Sequence, residues 1–124
     1  MSHPNFVILY VANPLASAAF YQNLLAKAPL EASPGFALFA LDSGLMLGLW
    51  LRQEVLPQAG PVAASNGELV FALDDQQQVQ TRHVDWQQRG LPILQAPQQM
   101  DFGYTFVAAD PDGHRLRVYA AGAA

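Results

Sequence analysis

The chain alternates short apolar runs with polar segments of helical period. Residues 6–11 are continuously apolar, with β-branched and aromatic members, and predict a buried strand. Asn13 and Pro14 follow, a capping residue and a proline suited to the first helical position, where the missing N–H has no intrahelical partner. Leu15, Ala18, Ala19 and Leu25 recur at helical spacing, so the helix is expected over residues 14–27, with Lys27 at its negative end and Pro29 as the stop. Two apolar strands, 36–41 and 45–50, flank the turn residues Asp42, Ser43 and Gly44 and read as a hairpin. Residues 52–66, with Pro57, Gly60 and Pro61, predict a long loop.

The second half repeats the order. Residues 68–73 read as a strand. In residues 76–89, Val79, His83 and Trp86 share one face of a mostly polar helix, and Gly90 ends it. Short strands are expected at 91–94, 102–109 and 116–120, with a loop at 97–101 and a turn at Asp110-Pro111-Asp112-Gly113. Each half begins with an apolar strand feeding a helix, and residues 11–13 and 73–75 mark equivalent junctions. The expected class is α+β: one domain, residues 1–124, made of two βαββ(β) half-repeats at about 5–51 and 67–120 that form a curved mixed sheet with a concave cavity.

Composition narrows the function. The 124 residues are 52% apolar and 13% charged, against a usual charged share of about 25%. Ten acidic groups oppose six basic ones, so the basic footprint of a nucleic-acid module is missing. Cysteine is absent, which removes disulfides, thiolate metal sites and thiol nucleophiles. The first residues show no basic leader, and the 6–11 run is too short for a membrane span, so a cytoplasmic protein bound to neither nucleic acid nor membrane is expected. The sparse charge points to a homodimer that covers apolar surface.

The candidate chemistry is aromatic. Phe36, Phe39, Trp50, Tyr104, Phe106 and Tyr119 lie in predicted strands and are candidates to line a cavity; Phe36 and Phe39 differ in parity, so an unbulged strand turns only one of them inward. Trp50 ends a strand beside the long loop, a natural place for a ligand-gating ring. Gly48, two residues earlier, leaves room for a flat ligand, or else marks a bulge or the close approach of a helix. Glu68 opens a strand and is either solvated or paired, with Arg117 as its candidate partner. Arg117 is itself suited to stack on a ring or bond a carboxylate. No serine sits in a G-x-S-x-G context, and no G-x-G-x-x-G or phosphate loop occurs.

Residues 11–21 resemble the first helix entry of the vicinal oxygen chelate superfamily, which includes glyoxalase I, bleomycin-resistance proteins and extradiol dioxygenases. Residues 71–75 resemble its second-half junction, and 110–118 its C-terminal turn and strand. Residues 102–106, residues 9–13 and the strand ending in Trp50 are similar to small drug-binding proteins of phenazine-antibiotic resistance. The resemblance implies a homodimer with paired ligand cavities. It places Phe6, Glu68 and Arg117 where family enzymes carry metal ligands, a set that holds one donor and one cation. No metal, cofactor or catalytic residue is therefore expected. The expected function is metal-independent binding and sequestration of a planar aromatic drug or metabolite, phenazine-like, giving antibiotic resistance, with Trp50, Tyr104, Phe106, Arg117, Phe39, Glu68 and Gly48 as ligand-binding residues. The alternative is a lyase, isomerase or dioxygenase of the same fold, with Glu68 as a base in a metal-free version.

Overall fold

The computed structural model describes residues 3–60 and 67–122, so residues 61–66 of the expected long loop lie outside the described residues. The chain divides into two compact units, one within residues 1–62 and the other within 63–124.

In the first unit, strand β1 (Phe6–Val11) leads into helix α1 (Pro14–Leu25), followed by β2 (Glu31–Ala32), β3 (Phe36–Ala40) and β4 (Met46–Leu51). Asn13 caps the helix, its side-chain oxygen accepting from the Ala16 N–H at 3.1 Å, which satisfies one of the donors a helix start leaves open. The helix ends two residues earlier than its periodicity suggests. Ala26 takes the left-handed conformation at φ 53°, and the Lys27 N–H returns to the Gln22 carbonyl. This stop is made by backbone hydrogen bonding before Pro29 is reached. The strands pair in the order β1-β4-β3-β2, parallel between β1 and β4 and antiparallel elsewhere. Beyond β4, Arg52–Glu54 form a single 3₁₀ turn.

The second unit repeats this plan with β5 (Glu68–Ala72), α2 (Gln76–Gln88), β6 (Ile93–Met100), β7 (Gly103–Ala109) and β8 (Arg115–Ala121), in the order β5-β8-β7-β6. Asp75 caps α2 as Asn13 caps α1, accepting from the Gln78 N–H at 2.8 Å. The turn before β8 is held by Asp110, 4% exposed, whose carboxylate accepts from the N–H groups of Asp112 and His114. The hydrogen bonds thus group the strands as two mixed four-stranded sheets, one from each half.

β2 and β6 depart from the sequence pattern. β2 is only two residues long and polar at Glu31. β6 joins the expected strand at 91–94 and the expected loop at 97–101 into one eight-residue strand with Pro97 inside it. β6 is an edge strand, and its pairing with β7 shifts register between Gln95 and Gln98. A proline without an N–H fits that irregularity at an edge.

Each sheet buries one face under its helix. In the first unit Ala37, Phe39, Leu47 and Leu49 are at most 1% exposed, and α1 buries Ala18 and Tyr21. In the second, Trp86 of α2 stands edge-on to Phe71 at 5.4 Å and to Phe106 at 5.5 Å, and His83 meets Phe106 at 5.2 Å. Edge-to-face contacts of this kind each add about 0.5–1.5 kcal/mol beyond area burial.

Candidate functional site

Strand alternation sends every second side chain to the face away from the helix. In the first unit that open face collects Phe6, Ile8 and Tyr10 from β1, Met46, Gly48 and Trp50 from β4, and Phe36 and Leu38 from β3. Register sets these in rows: Tyr10 beside Trp50 beside Phe36, and Ile8 beside Gly48 beside Leu38. Phe6, Ile8 and Tyr10 remain 43%, 42% and 40% exposed on the edge strand. The Tyr10 and Trp50 rings meet edge-on, centroids 6.4 Å apart. A β-carbon placed on Gly48 would lie 2.9 Å from Cζ of Phe36 and 3.0 Å from Cε1 of Phe6. The missing side chain therefore admits two rings of the protein's own strands, neither a helix nor a bulge, since the register with both neighbours is regular at Gly48.

The open face of the second unit is polar and hydrogen-bonded. Arg117, at the centre of β8, donates from Nε to Glu68 Oε1 at 2.8 Å and from Nη2 to Glu68 Oε2 at 2.9 Å. Its Nη1 donates to Thr105 Oγ1 at 3.2 Å and to Gln95 Oε1 at 3.4 Å. The Thr105 hydroxyl donates to the Val118 carbonyl at 2.8 Å, and the Gln95 amide N–H donates to the Met100 sulfur at 3.6 Å. The guanidinium carbon lies 5.6 Å from the centroid of Phe102, whose half-exposed ring meets Tyr119 edge-on at 5.9 Å. Glu68 is therefore paired rather than merely solvated, in a bidentate geometry that favours the ionised carboxylate. The Arg117 hydrogen bonds hold its carboxyl below the ordinary value; partial burial opposes this, and the charges of Arg117 and Arg115 add to it.

The remaining expected site residues lie on the helix sides of their sheets. Phe39 and Phe106 are 0% exposed there. Tyr104 shares the parity of Phe106, and its hydroxyl accepts from Nε2 of Gln80 on α2 at 3.3 Å. The structure brings Glu68 and Arg117 together and places Gly48 and Trp50 on one face, but within its own sheet it turns Phe39 away from Gly48 and Trp50, and Tyr104 and Phe106 away from Arg117. Sequence reasoning left out Gln95, Thr105 and Phe102 as partners of Arg117. Only the register of β6, β7 and β8 reveals them, and no local motif carries it.

No protein-family model matches the chain. Over 115 residues, 93% of this chain and 89% of the relative, it is 25% identical to the phenazine antibiotic resistance protein EhpR of Enterobacter agglomerans. The solution structure of protein ATC0852 from Agrobacterium tumefaciens is 51% identical and superposes with a TM-score of 0.89, covering 99% of this chain and 100% of that one. A glyoxalase/bleomycin resistance protein/dioxygenase family enzyme from Burkholderia phytofirmans is 22% identical, with a TM-score of 0.80 over 95% of this chain and 98% of that one. The chain has the vicinal oxygen chelate superfamily fold.

Phe6, Glu68 and Arg117, the positions at which the sequence resemblance puts the metal ligands of family enzymes, do not fit a divalent metal. Phe6 offers no donor atom. Both carboxylate oxygens of Glu68 are taken by Arg117, and a guanidinium has no lone pair to offer a cation and repels it. Among the described residues, no three His, Cys, Asp or Glu side chains gather into a metal-binding group. The same pairing makes Glu68 a weaker base than a free glutamate. Among the described residues, no helix is long and apolar enough to cross a membrane.

Proposed function

We propose that this protein binds and sequesters a planar aromatic drug or metabolite, phenazine-like, without a metal and without transforming it, and so confers resistance to that compound. The observation that carries this reading is the open face of the first sheet, where Tyr10, Trp50 and Phe36 stand in one row and Phe6 beside them remains 43% exposed. Flat aromatic molecules are held by apolar burial and offset or edge-on ring contacts, with a few polar groups for orientation. Trp50 is the anchor in this reading, and Phe6 and Phe36 flank Gly48 beside it. Phe39, Tyr104 and Phe106 act at one remove, by fixing the sheets against their helices.

The name of the Enterobacter relative supports the phenazine class. The chain is further proposed to act as a cytoplasmic homodimer, in which the second copy covers part of the exposed apolar surface outside the ligand face. A binding screen of phenazine and related tricyclic compounds tests the reading. Trp50 is the responsive fluorophore, because Trp86 is 2% exposed in the core. Saturable quenching with the compound recovered unchanged by mass spectrometry is expected; consumption of the compound would establish the enzyme reading instead.

A further inference from the structure

Gly48 sits on β4 between β1 and β3, with Ile8 and Leu38 directly beside it on the open face of the first sheet. Phe36 belongs to the next row, opposite Trp50. Yet the tip of the Phe36 ring does not stay beside the indole. Its Cζ and Cε1 lie 2.9 and 3.2 Å from the point that a β-carbon on Gly48 would occupy. Successive same-face positions on a strand are about 6.6 Å apart, so the ring leans along β3 from the Trp50 row toward the Gly48 row. Strand side chains lean along the strand in this way, and at Gly48 only a hydrogen atom stands in the path. On its other flank Trp50 is met edge-on by Tyr10, with ring centroids 6.4 Å apart. The indole is thus held from the β1 side, and on the β3 side it faces the root of a ring whose tip points along the strand.

We infer that Gly48 is a positioning residue for the ligand: by letting Phe36 lean away from Trp50 it keeps open a slot between the indole and the Phe36 ring, and that slot gives the site its preference for flat aromatic compounds. This rests on the binding reading above and names the residue behind its selectivity. A methyl group at position 48 would stand 2.9 Å from Cζ of Phe36, inside the ordinary carbon–carbon contact of about 3.5–4.0 Å. The Phe36 β-carbon is anchored in the Trp50 row, so a tip driven off Gly48 comes upright beside the indole and fills the slot. The tip is the free end of a rotatable side chain and yields without a shift of the backbone. Alanine also spares the strand the conformational entropy that glycine loses on folding. Phe6, whose Cε1 lies 3.0 Å from the same point, has room to yield because it is 43% exposed on the edge strand.

The test uses Gly48→Ala, Phe36→Leu and the double variant of the full chain, each shown by thermal melts to be folded. Acrylamide quenching without ligand reports Trp50, because Trp86 is 2% exposed in the core. Gly48→Ala is expected to lower the quenching constant as Phe36 comes upright beside the indole. In calorimetric titrations with phenazine, Gly48→Ala is expected to weaken binding about tenfold, the scale of one lost aromatic contact. In the Phe36→Leu background the shorter side chain does not reach the new methyl group, so the same change is expected to alter affinity within about twofold, as for sites that do not touch. Gly48→Ala binding phenazine like the wild type overturns the inference and leaves the binding reading standing. Unchanged quenching does the same, as does an equal loss in both backgrounds. If Gly48→Ala alone does not fold, the double variant decides: affinity within about twofold of Phe36→Leu supports the inference, and a loss of about tenfold overturns it. A wild type that binds no phenazine overturns the binding reading, and this inference with it.

Discussion

Tyr10 and Trp50 face one another across the parallel β1–β4 pair, their ring planes inclined at 79°. An edge-on contact fixes the indole while leaving part of its surface for another ring. Trp50→Ala is therefore expected to weaken binding of a planar ligand by at least about 2 kcal/mol, roughly thirtyfold. Calorimetry on a variant shown by thermal denaturation to be folded checks this. A change within about twofold would make Trp50 a purely structural residue.

Phe39 and Phe106 predict a different outcome. Both are fully buried on the helix sides of their sheets. Phe39→Ala and Phe106→Ala are each expected to cost about 3–5 kcal/mol of stability, through lost transfer energy and the cavity left behind. Chemical denaturation measures the loss. A variant of either residue with parental stability would contradict its placement in the core.

The Glu68–Arg117 pair predicts a pH dependence. Glu68 titrates below its ordinary value of 4.5 in the folded protein because Arg117 favours the carboxylate. The unfolded chain therefore binds the proton first as pH falls, and the pair's contribution is present above 4.5 and lost as pH drops through the folded value. Because the pair is partly exposed, that contribution is no more than about 1 kcal/mol. The melting-temperature gap between the parent and Glu68→Gln should stay constant between about pH 5 and 7 and close below that range. A gap that widens on acidification would contradict the pairing.

Assembly gives a further test. Sedimentation is expected to show about 27 kDa, twice the 13.5 kDa chain mass, the symmetric pair commonest among soluble oligomers. A monomer that persists at high micromolar concentration would contradict the homodimer.

The strand-helix start of each half was legible in the sequence because its signals are local. Asn13-Pro14 and Asp75 are capping chemistry, and Val79, His83 and Trp86 share a helical stripe. β6 was not legible as one strand, because Pro97 reads as a breaker until the β6–β7 irregularity and the edge position are known. The site divides in the same way. Parity within β4 puts Gly48 and Trp50 together, and parity within β3 sets Phe36 and Phe39 apart. Which of those two faces the helix depends on how β3 pairs with β4. Likewise Phe106 stands opposite Val118 and Val107 opposite Arg117, so Phe106 and Arg117 take opposite faces. That register is a long-range relationship that neither strand encodes alone.

The most direct test of metal-independent sequestration is a calorimetric titration of phenazine into protein stripped with EDTA, repeated with zinc, nickel or manganese restored. Saturable binding of unchanged affinity in all four conditions is predicted, with intact phenazine recovered from the complex. Binding that appears only when a metal is restored, or phenazine that returns chemically altered, would contradict it.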